Sequence, residues 1–289
     1  MIKFKWKLAV IFTLFVAYVL SPIASVVNAK AIENNNETEV NIGDYLDKDI
    51  NIIKESENEI IYQIEEDGQV YEYVEKSTNK DDKDVIVTTV YIIKNGEKEF
   101  YNEYETNLTY DENSEGLVTI EQIDEQSPED TESVTVNLND KKTEEDYYTE
   151  ENYYKESPIS PTIALGYLKS KGGSYVADMR YEIYSNGTAY AIGGGYKSKK
   201  TTSTNWKFRD FKAASDNIRS IEKNLITGGW LGVADAIAAA ARKGQLISIT
   251  LVKKLIKKAG KSIPLLGTVW TLYDYGNAVH KAKKKYNAI

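Results

Sequence analysis

The chain changes its hydrophobic period once, and that change constrains its fold more than any other feature. From Glu59 to about Asp140 apolar residues tend to alternate with polar ones; from Phe208 onward they recur at intervals of three and four. A spacing of two turns one face of a strand inward, and a spacing near 3.6 turns one stripe of a helix inward. The pattern predicts an α+β fold, with an antiparallel sheet first and a helical bundle last.

Within the first stretch, Ile60–Ile64 and Val70–Val74 flank Asp67-Gly68, and Val85–Ile93 runs into Asn95-Gly96. Both dipeptides suit two-residue hairpin turns, whose central residues need positive φ. With Glu99–Tyr110, Leu117–Ile123 and Ser133–Leu138 they give a sheet of about six strands. Its polar/apolar alternation fits a sheet buried on one face only. A further β-hairpin is predicted over 174–192, turning at Ser185-Asn186-Gly187. Helices follow over 208–289. Phe211, Ala214, Ile218, Ile221 and Leu225 mark the first, which Thr227-Gly228-Gly229 stops. Trp230–Arg242, Leu246–Lys261 and Pro264–Tyr286 mark three more, about four in all.

Charge divides the chain earlier, near residue 160. Residues 30–160 carry 37 Asp and Glu against 11 Lys, a net of −26, whereas residues 161–289 carry 22 Lys and Arg against 7 acids, a net of +15. Two prolines in 157–162 coincide with the switch and mark a linker. The expected organisation is a flexible lead-in at 30–57, an acidic β-rich domain at 58–156, the linker, and a basic domain at 163–289. Such asymmetry predicts an anionic partner for the basic half, and a contact between the acidic and basic halves.

The amino terminus reads as an export leader over 1–29. Lys3, Lys5 and Lys7 precede the largely apolar run Leu8–Leu20, and Val27-Asn28-Ala29 offers small residues for cleavage. The run is shorter than the ~20 residues that span a bilayer. The expected location is extracellular, after cleavage of the leader, outside a Gram-positive bacterium. The chain has no cysteine, which excludes thiol catalysis and cysteine metal sites and leaves folding to burial alone.

No catalytic, cofactor-binding or metal-binding set stands out. The one histidine, His280, has no neighbouring nucleophile in sequence. Asp81-Asp82-Lys83-Asp84 and Glu144-Glu145-Asp146 lack the spacing of a calcium loop, and Gly193-Gly194-Gly195 lacks the rest of a phosphate-binding loop. The candidate residues are instead amphipathic. On the third helix Leu251, Leu255 and Ile256 fall on one side and Lys253, Lys254, Lys257, Lys258 and Lys261 on the other, with no acid among them. Unpaired lysines on one helix repel one another, so an anionic surface is the expected countercharge. The fourth helix opens with the apolar Leu265, Leu266, Val269, Trp270 and Tyr273 and closes on Lys281, Lys283, Lys284 and Lys285, a pattern suited to a bilayer interface. The same residues could equally form an ordinary core. Nucleic acid is the weaker candidate partner: Trp206, Phe208 and Phe211 lie among lysines and arginines, but no nucleic-acid motif accompanies them.

The leader, the acidic β-rich half, and the helical tail with Gly228-Gly229-Trp230-Leu231-Gly232 and Ile263-Pro264-Leu265-Leu266-Gly267 together resemble the large secreted bacteriocins and toxins of Gram-positive bacteria, including the geobacillin type. The resemblance is one of organisation. It implies a secreted antibacterial protein whose basic helices act on anionic membranes while the acidic half masks them. The alternative is a non-lytic envelope or adhesion protein that binds anionic wall polymers. Neither reading involves an enzyme or a cofactor.

Overall fold

The computed structural model of the chain describes residues 50–289, except 81–82, 112–113, 115, 130, 140–165, 195–196 and 262–265. The expected leader, most of the lead-in, the linker and Leu265 lie outside the described residues.

The architecture is α+β, as the change of period predicts. Seven strands form one antiparallel meander: β1 (Ile50–Glu55), β2 (Glu59–Glu66), β3 (Gln69–Lys80), β4 (Lys83–Lys94), β5 (Glu97–Tyr110), β6 (Leu117–Asp124) and β7 (Glu132–Asn137). The β2–β3 turn has positive φ at Asp67 (53°) and Gly68 (76°), and the β4–β5 turn at Asn95 (54°) and Gly96 (83°). Both therefore take the backbone twist that right-handed strands require. A second antiparallel sheet holds β8 (Leu168–Gly173), β9 (Met179–Tyr184), β10 (Thr188–Gly193) and β11 (Lys197–Thr202) in sequential order. Four helices follow among the described residues: α1 (Trp206–Thr227), α2 (Leu231–Lys243), α3 (Ile249–Lys258) and α4 (Leu266–Ala288).

Two features differ from expectation. The first sheet has seven strands because β1 lies in the span read as a loose lead-in. The second has four because β8 and β11 flank the predicted hairpin. β8 and β11 are both edge strands, and lysines stud them. An edge strand needs a neighbour's hydrogen bonds more than it needs an apolar face, and lysine discourages further pairing there.

Residues from both sheets and all four helices share one contiguous core, including Tyr62, Leu108, Met179, Phe208, Ile237, Leu255 and Tyr275. Small residues permit the closest approaches. A Cβ on Gly232 of α2 would stand 2.0 Å from the Leu138 carbonyl oxygen, and one on Gly276 of α4 would stand 2.7 Å from Ile247. These contacts seat α2 beside β7 and α4 against the α2–α3 loop. No helix among the described residues is long and apolar enough to cross a membrane.

Candidate functional site

The sharpest amphipathic segment, α3, lies against the first sheet, which grips it through polar groups. The register carries Glu75 of β3 to Thr88 of β4, and Ile86 of β4 through Thr106 of β5 to Gln122 of β6. The inner face is thus polar where α3 begins. Glu75, fully buried, accepts hydrogen bonds from the backbone N–H groups of Ile249 (3.0 Å) and Thr250 (2.7 Å) and from the Tyr62 hydroxyl (2.6 Å). Ser248 caps the same end by accepting from Leu251 N–H at 3.1 Å. A carboxylate at a helix amino terminus meets both unpaired N–H groups and the positive end of the helix dipole. Burial raises the Glu75 pKa even so, against these donors.

Two glutamines fasten the preceding loop. Gln122 donates to the Leu246 carbonyl (3.1 Å) and accepts from Leu246 N–H (2.6 Å), while Gln245 donates to the carbonyls of Ile120 (3.2 Å) and Glu132 (2.6 Å). Further along α3, Lys254 pairs with Asp84 at 2.8 Å and Lys253 pairs with Glu55. Asp84 also accepts from Tyr110 (2.7 Å) and Asn79 (3.2 Å). Burial opposes ionisation of Asp84, but its bonds from Lys254, Tyr110 and Asn79 outweigh that and hold its pKa below the usual aspartate value.

The residues singled out by sequence therefore divide. Leu251, Leu255 and Ile256 are fully buried, and Val269 and Tyr273 nearly so. Trp270 is half-buried and packs edge-on against Tyr273. Lys253 and Lys254 face acids of the sheet; Lys258 lies 4.2 Å from the Tyr110 ring centroid and Lys261 lies 4.4 Å from that of Trp230. Lys257, Lys281, Lys284 and Lys285 are exposed, and Lys283 is half-buried. Leu266 begins α4. In this closed arrangement the apolar stripe of α3 faces protein, and its contact with a bilayer would require α3 to leave the sheet.

A second surface gathers at the β11 edge of the second sheet. The last turn of α4 meets β11: the Tyr286 hydroxyl donates to the Lys197 carbonyl (2.8 Å), and Lys199 donates to the carbonyls of Tyr286 and Asn287 (3.0 Å each). Beside it lies a shallow cleft, wide open to solvent, lined by Thr202, Thr204, Asn205, Trp206, Lys207, Arg209 and Ile289. Trp206 is 62% exposed. Phe208 and Phe211, its aromatic neighbours in sequence, are fully buried. Among the described residues Lys197, Lys200, Lys207, Arg209, Lys284 and Lys285 form no ion pair with a carboxylate, in contrast to Lys253, Lys254, Lys243 and Lys212.

One more buried carboxylate acts as a fastener. Glu222 of α1 accepts from the N–H groups of Tyr175, Val176 (3.1 Å) and Ala177 (2.9 Å) and from the Tyr275 hydroxyl (2.9 Å), tying the β8–β9 loop to α4. Sequence reasoning missed Glu75, Gln122 and Glu222. Gln122 shares the parity of the buried Val118 and Ile120, and Glu75 pairs across from the buried Ile60, so alternation places both on the inner face; what it does not say is that backbone groups at the start of α3 meet them there. Among the described residues no three His, Asp or Glu side chains converge as a metal site. Comparison of the chain with protein-family models, with curated proteins and with solved structures finds no match.

Proposed function

We propose that this protein is exported and works without catalysis, holding an anionic polymer of a cell envelope on its basic pole while fully folded. The observation that carries this reading is the distribution of ion pairs. Lys243, Lys253 and Lys254 of the helical region pair with Glu132, Glu55 and Asp84 of the first sheet, whereas Lys197, Lys200, Lys207, Arg209, Lys284 and Lys285 have no carboxylate partner among the described residues. Uncompensated like charge destabilises a compact state, and a polyanion supplies the missing countercharge by releasing its own counterions. The leader expected at residues 1–29 puts the protein where such polymers lie.

The test is binding of polyphosphate by the chain without its leader, across a salt series. Binding should weaken steeply with salt. Changing Lys197, Lys200, Lys284 and Lys285 together to Gln should flatten the salt dependence by up to about one unit of log–log slope per contact removed. An unchanged slope in that variant would sink the proposal.

A second reading draws on the polar grip on α3. In it the protein is an antibacterial, membrane-active toxin, and the acidic sheet masks α3 and α4 until they are released. Four polar fasteners and two ion pairs hold a helix whose lysines and apolar residues are segregated as an interfacial helix requires.

A further inference from the structure

We propose that the cleft at Trp206 binds a sugar ring of an anionic glycan, Trp206 stacking on the ring while Lys207 and Arg209 pair with its acidic groups. This deepens the polymer-binding reading and rests on it, because it names the chemical class of the polymer and the residue that selects it.

Three observations converge on the cleft. The first is Trp206 itself, 62% exposed at the start of α1. Its ring stands open to solvent beside the Lys207 ammonium, whereas Phe208 and Phe211 are fully buried, so it is the aromatic surface that this segment offers to a ligand. The second is the cation set. Lys207 lies 5.8 Å from the Trp206 ring centroid, and Arg209 lines the same cleft; neither pairs with a carboxylate among the described residues. Asp210, next in sequence, does not line the cleft. The third is the polar lining. Thr202 and Thr204 are exposed; their hydroxyls bond each other at 3.3 Å, which leaves one donor and spare acceptor capacity beside the ring. Asn205 is already engaged: it accepts from Lys207 N–H (2.9 Å) and donates to Thr201 (3.1 Å), which holds the cleft wall in place.

A pyranose presents C–H groups on one face and hydroxyls around its edge. The C–H face meets the negative face of an indole ring favourably, and the edge needs hydrogen-bonding groups such as those of Thr202 and Thr204. Carboxylates or sulfates on the sugar find Lys207 and Arg209. Single-stranded nucleic acid shares the charge but calls for a track of aromatic rings on which successive bases stack. Here one ring stands exposed at the cleft and the next two in sequence are in the core, so the arrangement fits one sugar ring rather than a run of bases.

The experiment uses the chain without its leader and three probes: polygalacturonate, which carries acidic sugar rings; polyphosphate, which carries charge without rings; and a single-stranded DNA oligonucleotide. Affinities are read by titration with circular dichroism as the check on folding. Wild type should bind polygalacturonate, and Trp206→Ala should weaken that binding at least tenfold while changing polyphosphate binding less than twofold. Trp206→Phe should retain part of the preference. Equal losses on both polymers, or none on either, overturn the glycan site. So does binding of polyphosphate without polygalacturonate, or an oligonucleotide that binds more tightly than polygalacturonate through Trp206. Failure of wild type to bind any of the three probes overturns the polymer-binding reading itself.

Discussion

His280 lies in a setting that opposes its protonation. It sits on α4 with Nε2 buried and without a hydrogen-bond partner, while the Gln245 backbone works in favour of its protonated form. Burial, and then the nearby Lys283 and Lys284, lower its pKa to about 4. Lys283 in turn faces Glu132 of β7 and Lys243 of α2. The folded chain therefore resists a proton that the unfolded chain accepts near pH 6.5, and stability falls as pH drops from there towards 4. A displacement of this size corresponds to about 3 kcal/mol across the window. Glu75 and Glu222 act in the opposite sense. Burial raises both, so the folded state takes up their protons more readily, and their contribution to stability declines as pH rises. Urea unfolding at pH 7, 5.5 and 4 should show wild type losing stability stepwise, and His280→Gln losing distinctly less. Parallel slopes in the two proteins would remove His280 as the acid-sensitive group.

At the scale of elements, α3 depends most on its surroundings. A ten-residue helix is marginal alone, and this one is held by five buried side chains, a carboxylate cap and its ion pairs with the sheet. Replacing Asp84 with Asn removes the charge that Lys254 meets and weakens the bond from Tyr110. The expected loss is about 1–3 kcal/mol, because the remaining partners stay partly buried. Hydrogen exchange should quicken over Leu251–Lys258 while β9 and β10 keep their protection; uniform quickening would mean that the pair does not act on α3. The Asp84 pKa lies below its usual value, so its contribution is present above about pH 4 and lost below it. Wild type in acid should then resemble the variant in this segment. The helix itself was legible from its 3.6-residue stripe, although it begins at Ile249, behind the Ser248 cap, and not at Leu246. What covers the stripe was not. Tyr62, Glu75 and Ile86 read as members of a sheet buried on one face, and nothing local says that α3 lies on that face. The edge strands escaped for a related reason. Lys197–Thr202 has almost no apolar residue, and its strand character comes from pairing with β10. The cleft was half legible: Trp206 among cations was visible, but the burial of Phe208 and Phe211 followed from α1 packing on the second sheet.

At the scale of the whole molecule, the opposed charges of the two halves meet in ordered pairs at α3 and lie uncompensated at the basic pole. The two readings of function use these regions differently. Polymer binding needs only the pole and leaves the fold shut; membrane action needs α3 to come away from the sheet. Because the chain contains no cysteine, a pair of introduced cysteines can be addressed without interference. Glu55→Cys and Lys253→Cys, joined by a reducible bifunctional maleimide, fasten α3 to β1 at a point where the two side chains already touch. Polygalacturonate binding should be the same before and after the linker is cut. Dye release from vesicles rich in anionic lipid, if α3 is a stored membrane helix, should appear only once it is cut. Release from the tethered protein would show that the helix need not leave the sheet, and absence of release from both forms would end the membrane reading. A polymer affinity that rises on cutting would mean that the clasp also governs the pole, a coupling that the closed fold gives no reason to expect, since the Trp206 cleft lies on α1 and β11 and shares no side chain with the seat of α3.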